Sequence, residues 1–312
     1  MKVISLNGNS KPHLKKTCAA IGIFDGVHRG HQYLIRAMLA TARRLNAQPI
    51  VITFSPHPVH VLRPDIKLEY LTSLQERFRL LSELGVATCM VVNFNRSFAK
   101  IEPQKFIRDV LVKRLGVKAI FVGADFKFGK DRSGDVVLFK NAAEEFCFEM
   151  HAVPALKQGR EVISSTRIRN ALAEGKLSEA SKLLGRPVFV DGVVVKGSER
   201  GKSLGYPTAN VDYASVILPS QGVYAVRILI GKKKYPAVAN LGTRPSFDKQ
   251  ILKLHLEVHI FDFSKNIYGK KVQVEFLKKI RNEMKFKSPQ DLIRQIQKDS
   301  SSARRYLSLN SK

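Results

Sequence analysis

GIFDGVHRGHQ, Gly22 to Gln32, decides how the first half of this 312-residue chain is read. An apolar run, Cys18–Phe24, ends in a Gly-flanked turn that holds Asp25, with Gly26 and Gly30 paired about it. A helical pattern begins at Gly30. His28 and His31, three residues apart, fall on one helical face. A helix N-terminus offers unpaired N–H groups and the positive end of the dipole, which suits phosphate. Imidazoles placed there can donate to phosphate oxygens. Two histidines near a helix start also occur as a solvated pair, and spacing alone favours that reading. The preceding strand, the glycines Gly26 and Gly30, and Asp25 in the turn shift the balance to a nucleotide site.

Working outward, strand-like and helix-like segments alternate. The strand candidates are Cys18–Phe24, Pro49–Ser55, Ala87–Phe94, Lys118–Gly123 and Cys147–Pro154. Between them the apolar period predicts helices over Gly30–Leu45, Ser73–Leu84, Pro103–Leu115 and Val136–Glu145. Ser73 with Glu76 makes a capping box, and Gly85 and Gly116 fall where helices end. Alternation of this kind predicts a parallel sheet covered on both faces. Ligands in such folds gather at the C-terminal ends of the strands, where Gly22–His31 falls.

The character changes near Leu184–Pro187. Strands follow at Val188–Lys196, Gly222–Ile230, Lys233–Leu241, Leu252–Phe261 and Lys270–Ile280. In Leu252–Ile260, Leu252, Leu254, Leu256, Val258 and Ile260 alternate with Lys253, His255, Glu257 and His259, a half-buried strand with a polar face. Two helical stretches, Pro289–Lys298 and Ser300–Leu307, close the chain. This half reads as an antiparallel barrel or sandwich with terminal helices.

Composition bounds the partners. Fifty-three basic and 26 acidic residues give a net charge of +27, which attracts polyanions. The cations are spread along the whole length, without a ribonucleoprotein pattern or zinc-finger spacing. The residues predict no specific nucleic-acid partner. The start, MKVISLNGNSKPHLKK, has no apolar core of signal-peptide length, and no run approaches a membrane span. Cys18, Cys89 and Cys147 lie far apart in apolar contexts and fit buried thiols of a reducing compartment. The expectation is a cytoplasmic protein without a membrane partner.

Three more segments of the first half carry chemistry. TFSPHP (Thr53–Pro58) ends a strand with prolines around His57. GADFKFGKDRSGD (Gly123–Asp135) follows another strand end and holds Asp125, Phe126 and Phe128; phenylalanines are wasteful in a purely solvated loop. ISSTRIRNAL (Ile163–Leu172) puts Ser164, Ser165 and Thr166 before a helix that carries Arg167 and Arg169. Hydroxyls, free N–H groups and guanidinium at one helix start suit phosphate, although a plain N-cap with solvated arginines reads the same way. In the second half, KGSERGKSLGYPTANV (Lys196–Val211) has Gly197, Gly201 and Gly205 for close backbone approach, with Arg200 and Lys202 adding charge. Thr208 and Asn210 offer neutral oxygens on one side of an extended segment, which suits Mg²⁺ completed by ATP phosphates. Taken singly, each of these is also an ordinary loop or hairpin.

Together, FDGVHRGHQ, TFSPHP, GADFKFG and SSTRIR resemble the adenylyltransferase module of the bacterial bifunctional riboflavin kinase/FAD synthetase family, within the nucleotidylyltransferases that carry an HxGH signature. PTAN after an RGxxLG run is similar to the flavokinase signature of the same family. The resemblance covers roughly Cys18–Leu307. It implies a Rossmann-like α/β nucleotidylyltransferase domain over residues 1–185 and an antiparallel β-barrel flavokinase domain with terminal helices over residues 186–312. It implies a kinase step from riboflavin and ATP to FMN, then adenylyl transfer to FMN giving FAD. By the same resemblance His28 and His31 are catalytic at the first site. Gly22, Phe24, Asp25, Asp125, Ser165, Thr166 and Arg169 hold ATP there, and His57 and Phe128 border the flavin. At the second site Glu257 is the base for the ribityl hydroxyl, Thr208 and Asn210 meet Mg²⁺, and Gly197, Arg200, Gly201, Lys202 and Tyr268 hold ATP. Arg281 and Phe286 line the flavin, and Met284 stands where many relatives have Lys. No oligomeric state follows from the residues.

Overall fold

The computed structural model describes residues 1–6, 14–197, 205–243 and 254–309. Contacts divide the chain into two compact units, Met1–Ser165 and Thr166–Lys312.

The first unit is a six-stranded parallel sheet of β1 (Lys2–Ser5), β2 (Thr17–Ile21), β3 (Gln48–Ser55), β4 (Thr88–Asn93), β5 (Val117–Gly123) and β6 (Glu149–Val153). Its order is β1-β4-β3-β2-β5-β6. The order reverses between β2 and β5, and a crevice at the C-terminal ends of the strands belongs at such a point. The strands read as continuous apolar runs because both faces are covered. One face, with Ile21, Ile52, Met90, Ile120 and Val122, packs on Leu111 and Phe139. On the other, the Cys18 thiol reaches the Met38 carbonyl in the Arg29–Arg44 helix.

Sequence and structure differ at particular places. β1 lies in the polar N-terminal stretch that carried no signal, and it pairs in parallel with β4. The Pro103–Leu115 pattern is a short α-turn, Pro103–Lys105, that widens into a π-helix over Phe106–Val112. The Lys113 N–H donates to Arg108 and that of Leu115 to Val110. Residues 157–162 form a small hairpin of β7 (Lys157–Gln158) and β8 (Glu161–Val162).

The second unit is a closed antiparallel barrel of β9 (Val188–Val195), β10 (Ala209–Tyr213), β11 (Gly222–Ile230), β12 (Lys233–Thr243), β13 (Leu254–Ile260) and β14 (Lys271–Arg281), in the order β10-β13-β12-β11-β14-β9. Leu252 and Lys253 of the expected strand lie outside the described residues. The two expected closing helices are one helix, Pro289–Leu309. It covers the outside of the barrel, where Ala303 and Leu307 pack on Val223, Ala225 and Val238. That cover is why the first five residues of β11 are all buried, instead of alternating.

The compact units divide earlier than residue 185. The Leu177–Leu184 helix packs on β9 and β14, and the Leu172 carbonyl accepts the Ser220 N–H at 3.2 Å.

Candidate active sites

The turn after β2 is built on left-handed backbone. Phe24 has φ 53°, Gly26 φ 79° and Val27 φ 39°. A β-branched residue in that region is strained, by about 1–3 kcal/mol. The turn is held by Asp25, whose side chain is buried. Its carboxylate accepts the Leu71 N–H at 3.0 Å and the Thr72 N–H at 3.2 Å, and the Thr72 hydroxyl accepts the Gly26 N–H at 3.0 Å. The buried Arg77 guanidinium lies 3.7 Å from the same carboxylate. Asp25 is therefore an anchor turned into the protein, not a carboxylate open to a nucleotide. Thr72 and Arg77 were missed by sequence reasoning. The signal for Arg77 was its place on the buried stripe with Leu80 and Leu81 in the Leu74–Glu83 helix.

The anchored turn delivers the histidines. His28 caps the Arg29–Arg44 helix, its Nδ1 accepting the His31 N–H at 3.3 Å. An accepting Nδ1 puts the proton of the neutral ring on Nε2, so His28 is a donor at that atom. The His28 and His31 rings stack at 3.6 Å, and Phe24 meets His31 edge-on at 5.2 Å. Burial, then His28 and then Arg77 hold the His31 pKa well below its usual value, so the ring is neutral. His31 Nδ1 is buried with no hydrogen-bond partner among the described residues. An orphaned polar atom at a helix start fits a ligand contact.

Ser165 of the SSTRIR segment is joined to this turn. Ser165 begins a helix, Ser165–Ala173, and its hydroxyl donates to the Asp25 carbonyl at 2.9 Å. Thr166 and Arg169 follow on that helix. Gly22 donates its N–H to Ile52 at 3.1 Å, tying β2 to β3. Exposed Asp125 follows β5 across the switch point. His57 caps the Pro58–Leu62 helix through the Val59 N–H, and its own N–H donates to the Tyr70 hydroxyl at 2.7 Å.

The barrel builds its site by register. Asn210 on β10 opposes Glu257 on β13, and Glu257 opposes Asn240 on β12. Directly opposed residues share a face, so three polar side chains line up on the outside of the barrel while Leu256 and Val258 fill the inside. His259 Nδ1 bonds the Pro207 carbonyl at 2.9 Å and so ties the segment before Thr208 to β13. Gly197 runs close to the Asn210 amide: a Cβ there would overlap that side chain. The Gly269 N–H, beside Tyr268, bonds the Val194 carbonyl at 2.8 Å, which places exposed Tyr268 by the strand that leads to Gly197. Arg200, Gly201 and Lys202 lie outside the described residues. Asn240 was missed, since nothing in AVANLG marks one polar residue in a strand.

Residues 10–167 match the FAD synthetase family and residues 184–307 the riboflavin kinase family. The chain is 42% identical over 290 residues to the bifunctional riboflavin kinase/FMN adenylyltransferase of Escherichia coli K12, covering 93% of this chain and 92% of that one. It is 37% identical over 301 residues to the protein of that name from Bacillus subtilis, covering 96% and 95%.

The chain belongs to the bifunctional riboflavin kinase/FMN adenylyltransferase family.

A crystal structure described as a macrolide-efflux protein from Streptococcus pneumoniae is similar throughout, with TM-score 0.88 and 35% identity over 97% of this chain and 99% of that one. Among the described residues no helix is long and apolar enough to cross a membrane. The family carries an FAD synthetase domain followed by a riboflavin kinase domain, and this chain has both, in the α/β unit and the barrel respectively. It is an ATP-dependent transferase of two activities.

Two flavin positions differ from what the resemblance implied. Phe128 is a core ring, stacked on Phe139 at 4.3 Å and on Phe126 at 5.8 Å, so it packs the loop instead of presenting a face. Arg281 does not extend into the open: its guanidinium is bound by Asp299 of the terminal helix. Phe286 sits beside that guanidinium at 5.7 Å, and Met284 is exposed.

Proposed function

We propose that the turn after β2 is the adenylyl-transfer site and that the Asn210–Glu257–Asn240 row is the kinase site. On sequence grounds, residues 1–185 serve the first reaction and residues 186–312 the second. The observation that carries the first assignment is the stacked His28/His31 pair at the β2/β5 switch point, tied through Asp25 to Ser165.

In adenylyl transfer an FMN phosphate oxygen attacks the α-phosphorus of ATP, the bond to the β-phosphate oxygen breaks, and pyrophosphate leaves. Such a step needs positioning and charge stabilisation more than proton transfer. His28 Nε2–H and neutral His31 donate to phosphate oxygens. Thr166 and Arg169 hold the rest of the tail, with Asp125 beside the nucleotide. Gly22, Phe24 and Asp25 keep the turn in shape. His57 borders the flavin; Phe128 supports that loop from the core.

In the kinase reaction Glu257 takes the proton of the ribityl 5′-hydroxyl as its oxygen attacks the γ-phosphorus and ADP leaves. Gly197 and Tyr268 hold ATP, joined on sequence grounds by Arg200, Gly201 and Lys202. Mg²⁺ fits the donors present. Thr208 and Asn210 offer neutral oxygens, which need phosphate oxygens to complete a hard cation's shell. Among the described residues there is no cluster of three or more His, Cys, Asp or Glu that could hold a metal ion. When bound, Mg²⁺ neutralises phosphate charge. Phe286 lines the flavin. A reducing cytoplasm fits Cys18 and Cys89, buried free thiols whose pKa burial pushes up to about 12; Cys147, expected to be buried with them, is exposed.

The test is riboflavin, ATP and Mg²⁺ incubated with pure protein, with the flavins separated by chromatography. FMN appears first and FAD follows. FMN that accumulates without FAD contradicts the first assignment; riboflavin left unchanged contradicts the second.

A further inference from the structure

Asp299 lies outside every motif, and its side chain is 6% exposed. A carboxylate that deep must be paired. Arg281 Nε donates to its two oxygens at 3.0 and 2.9 Å, and Nη2 adds a bond at 2.8 Å. Gln295, one helical turn earlier, donates to the same carboxylate at 2.9 Å. A guanidinium held at Nε and Nη2 is fixed in plane as well as in place. Its remaining Nη1 donates to the Asn282 carbonyl at 2.9 Å, and the Phe286 ring lies 5.7 Å from its carbon. One buried carboxylate therefore sets the guanidinium on which the loop after β14 is organised.

Register puts that loop on the kinase row. Glu257 opposes Asn240, Asn240 opposes Val223 on β11, and Val223 opposes Arg281 on β14. Three strand spacings separate Glu257 from Arg281, about 14 Å along the curved sheet. The terminal helix covers Val223 and supplies Asp299. After Arg281, the Glu283 side chain reaches over β12. The Glu283 carboxyl group lies over Gly242, two residues beyond Asn240: a Cβ there would sit 2.8 Å from its carbon.

We infer that Asp299 is a positioning residue for riboflavin: it fixes Arg281 and thereby holds the Phe286 loop against the Glu257 row. The inference rests on the reading of Phe286 as flavin-lining. It gives Arg281 a different role from a cation that meets the flavin directly, because each of its three nitrogens is already bonded within the protein, two to Asp299 and one to the Asn282 carbonyl. Asp299 touches no reacting atom.

The experiment uses the full chain with Asp299→Asn, Arg281→Lys and Phe286→Ala, measuring KM for riboflavin, KM for ATP, kcat for FMN formation, and FMN adenylylation in the same preparations. All three variants raise the riboflavin KM roughly tenfold. The ATP KM and adenylylation stay within twofold, and the Asp299→Asn/Arg281→Lys double variant is no worse than either single one. A role confined to docking the helix would lower the melting temperature and leave the riboflavin KM unchanged, and that result overturns the inference. If Asp299→Asn does not fold, Arg281→Lys decides by the same KM criterion. Failure of the underlying reading is separable: a Phe286→Ala protein with unchanged riboflavin KM removes the flavin loop itself. A raised KM in Phe286→Ala with a normal one in Asp299→Asn removes only the role of Asp299.

Discussion

The two sites are held by opposite means. The histidine turn is a strained loop fastened from below: Phe24 and Val27 occupy left-handed backbone, and Asp25, Thr72 and Arg77 grip it out of reach of solvent. The kinase row has almost no special backbone. Asn210, Glu257 and Asn240 stand on three neighbouring strands because barrel register puts them there. Loop geometry must be maintained against alternatives by buried polar contacts, whereas ladder geometry comes with the sheet. The expectation is that the first site is sensitive to distant buried substitutions and the second mainly to its own side chains.

The largest expected effect tests the second half of that contrast. Glu257→Gln removes the proton acceptor and lowers kcat for FMN formation by about 10²–10⁴-fold, while adenylylation of supplied FMN stays within twofold. Loss of both activities together would merge the sites. Next, His28→Ala lowers the adenylylation rate by about 10²–10³-fold, the scale of losing a donor to developing charge, with FMN formation unaffected. An equal fall in the kinase would again break the contrast.

A stability comparison sharpens it. Arg77→Met leaves the Asp25 carboxylate buried without its cation and costs about 3–5 kcal/mol, read from denaturant unfolding of the α/β unit. Asn240→Ala, on the exposed face of the barrel, costs within about 0.5 kcal/mol. Comparable costs would show that the turn is not specially anchored.

The smallest effect is in pH. Native His31 is held neutral, with its pKa below the unfolded value of 6.5. Below that value the unfolded chain binds a proton that the folded one refuses, so stability falls as pH falls. Above 6.5 this contribution is fully present. His31→Gln flattens the acid-side slope of unfolding free energy against pH. An unchanged slope would mean that His31 titrates normally in the fold.

How legible each site was follows from these same means. The α/β alternation, the switch-point turn and the alternation of Leu254–Ile260 are local patterns, and each appears in the structure at those residues. The His28/His31 pair was visible because a helix start and a glycine turn are written in consecutive residues. Arg77 and Thr72 were not, because their partner Asp25 is some fifty residues away, and only tertiary packing explains a cation on an apolar stripe. The short β1 is mostly exposed and β10 is partly polar, so neither has the apolar run that marks a strand; pairing with β4 and with β13 makes them strands. The break expected near Lys298–Ser300 is absent because Asp299 and Ser300 are buried on the barrel and there keep one continuous helix. That burial also hid the bond between Asp299 and Arg281, which no pattern in the last thirty residues announces.

Two complete sites that act separately are linked only by FMN. The most direct measurement mixes the Glu257→Ala protein with the His28→Ala/His31→Ala protein and supplies riboflavin, ATP and Mg²⁺. Neither protein alone is expected to make FAD from riboflavin, and the mixture is, with free FMN as the intermediate seen on chromatography. FAD from either variant alone, or none from the mixture of two folded proteins, would contradict that separation.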